Sequence, residues 1–144
     1  MIILDTNIIS ELMREKPDEI VKVWADQLMI GIVGTTTITL AEIYSGLYQL
    51  PEGKRKEGYF NKFDAFIKEL FAENIFRFDE QTALIYGMLS AESKSQGHNV
   101  GSVDIMIAGI AKQYGAKLAT RNVKDFQHCD IDIVNPFDGC KTVN

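Results

Sequence analysis

Short apolar runs alternate along this chain with longer stretches whose apolar residues recur every three or four positions. That alternation predicts strands separated by helices. Met1-Ile2-Ile3-Leu4 reads as a buried strand over residues 1–5, and a short helix follows from Thr6 to Met13. Pro17-Asp18 opens a helix over 18–28 with Ile20, Val23, Trp24 and Leu28 on one face. Ile30 to Thr35 reads as the second strand. Thr36 or Thr37 caps a third helix running to about Leu50, with Ile38, Ala41, and Tyr44 or Ser45 at helical spacing. Pro51-Glu52-Gly53 is a break.

Residues 54–73 predict one long amphipathic helix with Phe60, Phe63, Phe66 or Ile67, Leu70 and Phe71 inward. A brief strand spans Ile75–Phe78, and a helix over 80–96 stops at Gly97. Ser102 is expected to cap the next helix, with Val103, Met106, Ile107, Ile110 and Tyr114 facing the core. Ala108, Gly109 and Ala111 allow it a close neighbour, and Gly115 ends it. A strand at Lys117–Thr120, a helical turn at Asn122–Phe126 and a last strand at Ile131–Val134 complete the pattern. Strands fed by helices imply an α/β protein with a mostly parallel, twisted central sheet and helices on both faces. One domain spans residues 1–144, with 136–144 as a tail.

Against this pattern three carboxylates stand out. Asp5 ends the first strand, Glu42 lies in Thr39-Leu-Ala-Glu42-Ile-Tyr, and Asp104 lies in Gly101-Ser-Val-Asp104-Ile-Met-Ile. Buried charge is costly unless paired or metal-bound. In open α/β sheets the carboxyl ends of the strands and the starts of the next helices share one rim, where ligands bind. Acids about 4 Å apart repel by up to ~4 kcal/mol at an effective dielectric near 20, and a divalent cation removes that conflict. Oxygen donors without clustered His or Cys favour Mg²⁺ or Mn²⁺ over Zn²⁺. His98 and His128 read as isolated surface residues. Spacing alone leaves open that the three acids are unrelated: a cap, an ion-pair member and a turn residue.

Further candidates cluster around that rim. Asn122 and Asp125 follow a strand in Thr120-Arg121-Asn122-Val123-Lys124-Asp125, and Asp125 is equally readable as a helix-turn acid. Thr6, Asn7 and Thr120 are short polar side chains suited to fixing a carboxylate, or to capping the turns they begin. Lys54, Arg55 and Lys56 stand in a row with Lys62 close behind, for phosphate contact or as a solvated face. A net charge of −5 argues against indiscriminate nucleic-acid binding. The two cysteines, Cys129 and Cys140, suit free thiols in a reducing cytosol, with a terminal disulfide as the alternative. No stretch is apolar for the roughly 18 residues a membrane helix needs, and the N-terminus lacks a signal-peptide pattern. The expected location is cytoplasmic.

Ile3-Leu4-Asp5-Thr6-Asn7, Thr39-Leu-Ala-Glu42, Asp104-Ile-Met-Ile-Ala108 and Ala119-Thr120-Arg121-Asn122 with Asp125-Phe126 resemble, in order, the motifs of PIN-domain ribonucleases. The likeness is greatest to VapC toxins of the FitB-like branch, and Val134-Asn135-Pro136-Phe137 extends it over essentially the whole chain. The resemblance implies a three-layer α/β/α fold and a Mg²⁺- or Mn²⁺-dependent endoribonuclease leaving a 5′-phosphate and a 3′-hydroxyl. Asp5, Glu42 and Asp104 would be its metal-binding catalytic acids. The family often has Asp directly after Thr-Arg, where this chain has Asn122, so Asp125 is the candidate to supply that acid. Arg121, with Lys54, Arg55 and Lys56, would position the RNA backbone. The resemblance also implies a homodimer, inhibition by a small antitoxin whose extended segment crosses the active-site groove, and DNA contact only through that antitoxin. A transfer RNA is consistent with the similarity, and no residue here names a target sequence or loop. An acidic toxin suits a basic antitoxin segment.

Two other functions fit parts of the pattern. Phosphatases that form an aspartyl phosphate also end a strand in Asp, but they carry Asp-x-Asp and position 7 is Asn. A binding module with vestigial nuclease acids is the second. The aromatic run Tyr59, Phe60, Phe63, Phe66 and Phe71, with Tyr44 and Tyr48, serves either a partner or the internal core.

Overall fold

The computed structural model describes residues 1–28 and 31–139. Its elements are β1 (Ile2–Leu4), α1 (Thr6–Met13), α2 (Glu19–Asp26), β2 (Val33–Thr36), α3 (Thr37–Tyr48), α4 (Lys54–Ala65), β3 (Ile75–Phe76), α5 (Glu80–Ser95), α6 (Ser102–Gln113), β4 (Lys117–Ala119), α7 (Val123–Phe126) and β5 (Ile133–Val134). The strands form one parallel sheet in the order β3-β2-β1-β4-β5. β1 is central. Ile3 pairs with Gly34 on one side and Leu118 on the other, and Leu4 pairs with Ala119. The order reverses between β1 and β4, which places a ligand crevice at their carboxyl ends.

Successive strand side chains point to opposite faces, and the two cores follow from that. Leu4 and Ala119 join Ile8, Ile9, Val21, Trp24, Phe63 and Phe71 beneath α1–α4. Ile3 and Leu118 join Ile105, Ile107, Ile110 and Phe126 beneath α5–α7. This is a three-layer α/β/α sandwich, as the strand–helix alternation implied. Two glycines set its spacing. A Cβ at Gly34 would lie 2.5 Å from the Asn74 carbonyl oxygen, and one at Gly109 would lie 3.3 Å from Thr82 Cγ2, where α5 presses on α6.

Several local expectations shift. In α2 the buried residues are Val21 and Trp24, whereas Ile20 and Val23 are each half exposed. Asp18 caps that helix by accepting from the Ile20 and Val21 amides, and residues 21, 24 and 28 form its inward edge. The second strand starts at Val33 rather than at Ile30, which lies outside the described residues. The helix expected over 54–73 changes pitch after Ala65. Phe66–Phe71 form a wider π turn that closes with the Ala72 amide on the Ile67 carbonyl. This brings Phe71 into the core beside Phe66. Ser102 is the first residue of α6 rather than its cap, which is Gly101, and Val103 and Tyr114 are exposed.

The aromatic run is mostly internal. Tyr44 meets Phe63 edge-on at 5.0 Å and Tyr48 meets Phe60 at 5.1 Å, and only Tyr48 stays largely in solvent. Pro136–Asp138 is no tail either. It forms a 3₁₀ turn with Pro136 buried and Phe137 against the first core. Cys129 is a buried free thiol, and Cys140 lies outside the described residues, so the disulfide alternative does too. Among the described residues no helix is long and apolar enough to cross a membrane.

Candidate active site

Asp5 leaves the sheet at the end of β1 and caps α1, with its backbone still extended (φ −75°, ψ 163°). Its amide continues the ladder by donating to the Ala119 carbonyl at 2.9 Å. Its side chain is 3% exposed. Burial that deep would normally force a carboxyl to keep its proton, so the hydrogen bonds matter. Oδ1 accepts from the Thr6 amide at 2.8 Å. Oδ2 accepts from Thr120 Oγ1 at 2.7 Å and Asn7 Nδ2 at 3.2 Å. Burial raises the Asp5 pKa above the usual carboxylate range and the Glu42 charge adds to it, while the Thr120, Thr6 and Asn7 donors pull the other way.

Thr120 is the hub of this corner. Its hydroxyl donates to Asp5 and accepts from the Asn122 amide at 3.1 Å and Asn7 Nδ2 at 3.3 Å. One donor and two acceptor lone pairs are all that a threonine hydroxyl offers. Asn7 closes the circuit by accepting from the Arg121 amide at 3.0 Å. The ends of β1 and β4 are thus bound together by side chains from Asp5, Asn7 and Thr120.

The second acid is held differently. Glu42 lies in α3 and is exposed, not buried as its apolar neighbours in sequence suggested. Residues 39, 43 and 47 form the buried edge of that helix, and one step along a helix turns a side chain by about 100°. Glu42 therefore faces out while Ile43 faces in. Its Oε1 accepts from Thr6 Oγ1 at 2.6 Å, so Thr6 links Asp5 and Glu42 through its amide and its hydroxyl.

Asp104, in the first turn of α6, is half-buried. Burial first, then the charges of Asp5, Asp125 and Glu42, push its pKa up to about 6. Four carboxylates from β1, α3, α6 and α7 therefore share one electrostatic neighbourhood. As placed, no three His, Cys, Asp or Glu side chains among the described residues stand close enough to hold one ion together. The Thr6 hydroxyl engages Glu42. The donor set still fits a hard divalent cation: it is all oxygen, partly buried and over-supplied with negative charge.

Other candidates fall on both sides of the line. Asn122 sits at the N-cap of α7 without a side-chain cap bond, and its amide serves Thr120. Asp125 sits on α7 with its amide on the Asn122 carbonyl. Arg121 is exposed on the same rim and stacks its guanidinium 4.4 Å above the Phe137 ring. Lys56 is not a rim residue: it is 9% exposed, pairs with Glu52 at 2.5 Å and donates to the Tyr48 carbonyl at 3.3 Å. Lys54 and Arg55 line a cleft farther along α4 with Tyr59 and Lys62. His98 and His128 do not stand alone but stack on each other at 3.7 Å. The Thr6–Glu42 link and the Phe137 support for Arg121 were invisible as pairs in the sequence, because their partners are far apart in order. Only the Asp5-Thr6-Asn7 and Asn135-Pro136-Phe137 runs hinted at them.

A sequence profile described as PIN domain matches residues 2–131. The chain is 38% identical over 137 residues to Toxin FitB of Neisseria gonorrhoeae, covering 95% of this chain and 99% of that protein. It is 36% identical over 138 residues to VapC ribonuclease Y4jK of Sinorhizobium fredii, covering 96% and 99%. Of solved structures, FitAB bound to IR36 DNA fragment superposes with a TM-score of 0.89 at 38% identity, over 95% of this chain and 96% of that one. VapBC-1 from nontypeable Haemophilus influenzae does so with a TM-score of 0.79 at 31% identity, over 95% and 99%.

Proposed function

The chain belongs to the PIN domain family, and from that membership we propose that it is a Mg²⁺- or Mn²⁺-dependent endoribonuclease, the toxin of a toxin–antitoxin pair. The observation that carries this reading is the buried Asp5 where β1 and β4 end, its oxygens fixed by Thr6, Asn7 and Thr120, with Glu42 tied to it through Thr6 Oγ1. Buried charge is costly unless paired or metal-bound, and among the described residues no salt bridge reaches Asp5 or Glu42.

In this reading Asp5, Glu42 and Asp104 hold the cation, and Asp125 supplies the fourth charge that Asn122 does not. When bound, the cation supplies Lewis-acid stabilisation of charge on the phosphate oxygens and activation of water. The remaining work is done by the chain. Thr120, Asn7 and the Thr6 amide fix both Asp5 oxygens, so the carboxylate need not reorganise as substrate enters. Thr6 Oγ1 holds Glu42 Oε1, which leaves Oε2 to orient the attacking water and take its proton. Arg121, anchored on Phe137, presents its guanidinium to the RNA backbone, with Lys54 and Arg55 beyond it.

The partners follow from relatives whose solved structures are FitAB and VapBC assemblies. We assign to this chain a small cognate antitoxin that inhibits it, a homodimer in the complex, and DNA contact through the antitoxin alone. The test is cleavage of RNA by the purified chain. Activity in Mg²⁺ should disappear with chelator and fall at least about a hundredfold in Asp5→Asn, the scale of losing one preorganised charge contact, with the fold retained by circular dichroism. Cleavage by Asp5→Asn at the unsubstituted rate would refute the assignment.

A further inference from the structure

Helix α5 is apolar on two sides. Its inner side packs on α6: Thr82 and Leu89 are buried, and Gly109 of α6 lies against Thr82 and the Tyr86 backbone. Each step along a helix turns a side chain by about 100°, which puts residues 80, 84, 87, 88, 91 and 94 on the opposite side. A surface helix normally gives that side to charged and polar residues. Here Glu80 and Lys94 stand at its two ends, and between them lie Leu84, Gly87, Met88 and Ala91, all exposed. Leu84 is 58% exposed and Met88 62%. About two turns of solvent-facing helix therefore carry no charge.

The pattern is complementary to itself. A second α5, turned end for end about a twofold axis between Gly87 and Met88, sets its Leu84 over Ala91 of the first. The first Leu84 covers Ala91 of the second in the same way, because 84 and 91 lie equally far from that axis. Met88 meets Met88 beside the axis, and Gly87 lets the two backbones approach there. Antiparallel order also brings the Glu80 end of each helix to the Lys94 end of the other. Neither residue forms an ion pair within its own chain among the described residues. A parallel pair would instead set Glu80 against Glu80 and Lys94 against Lys94.

We infer that this face of α5 is the surface through which two copies of the chain associate, antiparallel and about a twofold axis. Leu84 and Met88 anchor the contact, and the two Glu80–Lys94 pairs fix its register. One patch repeated on both partners is what a twofold interface requires. The inference rests on the homodimer proposed above and gives it a surface. An antitoxin segment is the competing occupant, and the match of this face to itself in size and charge favours the second copy.

Sedimentation equilibrium of the full chain over a concentration series tests this without RNA or metal. The unsubstituted chain should dimerise. Met88→Glu sets like charges against each other at the axis and should raise the dimer Kd at least about tenfold, the scale of losing an interface anchor, with circular dichroism unchanged. Glu80→Lys and Lys94→Glu should each weaken the dimer about threefold, as exposed ion pairs do, and the double exchange should restore the parent Kd. The exchange decides where Met88→Glu fails to fold, and a double exchange that restores nothing would overturn the antiparallel register. Folded Met88→Glu protein that dimerises as tightly as the parent would overturn the α5 surface and leave the homodimer to another face. A parent that stays monomeric throughout would overturn both. Loss of antitoxin binding in Met88→Glu with the dimer intact would assign the face to the antitoxin instead.

Discussion

Asp5 and Glu42 stand at two corners of one rim and are held in opposite ways. Asp5 is buried, and both its oxygens accept from donors on β1's own continuation and on β4, through an Asn7–Thr120 circuit with no free valence at the hydroxyl. Glu42 is exposed on a helix face, and the bond that holds it comes from Thr6. One corner is preorganised by the sheet. The other is positioned by a single hydroxyl and is free to adjust to what binds. A site that must expel water around one ligand atom and still admit a long substrate gains from that asymmetry.

The largest loss of stability should come from attacking the rigid corner. Thr120→Val keeps the shape of the side chain but removes the donor to Asp5 and the acceptor for the Asn122 amide. Chemical denaturation should show a loss of about 1–3 kcal/mol, the cost of leaving buried polar groups unpaired. RNA cleavage should fall about ten- to a hundredfold, as it does when a ligand loses its supporting hydrogen bond. Thr6→Val at the adaptable corner should cost only about 0.5 kcal/mol while reducing cleavage comparably. Equal stability losses for the two variants would erase the distinction.

Asp104 lies between these extremes, and its pH behaviour sharpens the comparison. Its folded-state pKa of about 6 is above the unfolded value, so the folded protein holds a proton that the unfolded chain gives up. Stability contributed by that proton is present at low pH and declines as pH rises between roughly 4 and 6. Asp104→Asn should therefore raise stability at pH 7 by about 1 kcal/mol, after allowing for solvent screening of a half-exposed group. It should also flatten the melting temperature across that window and abolish cleavage. A variant less stable than the parent at pH 7 would mean that Asp104 is a structural acid. In the unsubstituted chain, Mn²⁺ affinity should fall as pH drops below about 6, where the metal-free protein holds a proton on Asp104.

The smallest effect separates two neighbouring lysines. Lys56→Gln should cost about 1 kcal/mol, because it breaks the Glu52 pair and the bond to the Tyr48 carbonyl, and should leave the salt dependence of RNA binding unchanged. Lys54→Gln should do the reverse. Melting curves and salt titrations on the two variants check this directly.

Much of this architecture is legible in the sequence where local rules are strong. β1 with Asp5 at its end, α1 with its bounds, the Gly97 and Gly115 stops and the parallel order of strands all follow from apolar runs and turn residues. Legibility fails where the answer depends on direction around a helix. The apolar neighbours of Glu42 in sequence are not its neighbours in space, and Ile20 and Val23 are apolar yet half exposed. It also fails for pairs distant in order. Nothing local says that Thr6 reaches Glu42, that Arg121 rests on Phe137, or that Lys56 is withdrawn from its charged run by Glu52. Candidate acids could be nominated from sequence; how each is held could not.

The central claim, that acids from separate elements serve one divalent ion, is most directly tested by titrating Mn²⁺ onto the purified chain and following free Mn²⁺ by electron paramagnetic resonance. Saturable binding is expected, lost in Asp5→Asn and Asp104→Asn and weakened in Glu42→Gln. Mn²⁺ binding that is unchanged in folded Asp5→Asn and Asp104→Asn proteins would contradict it.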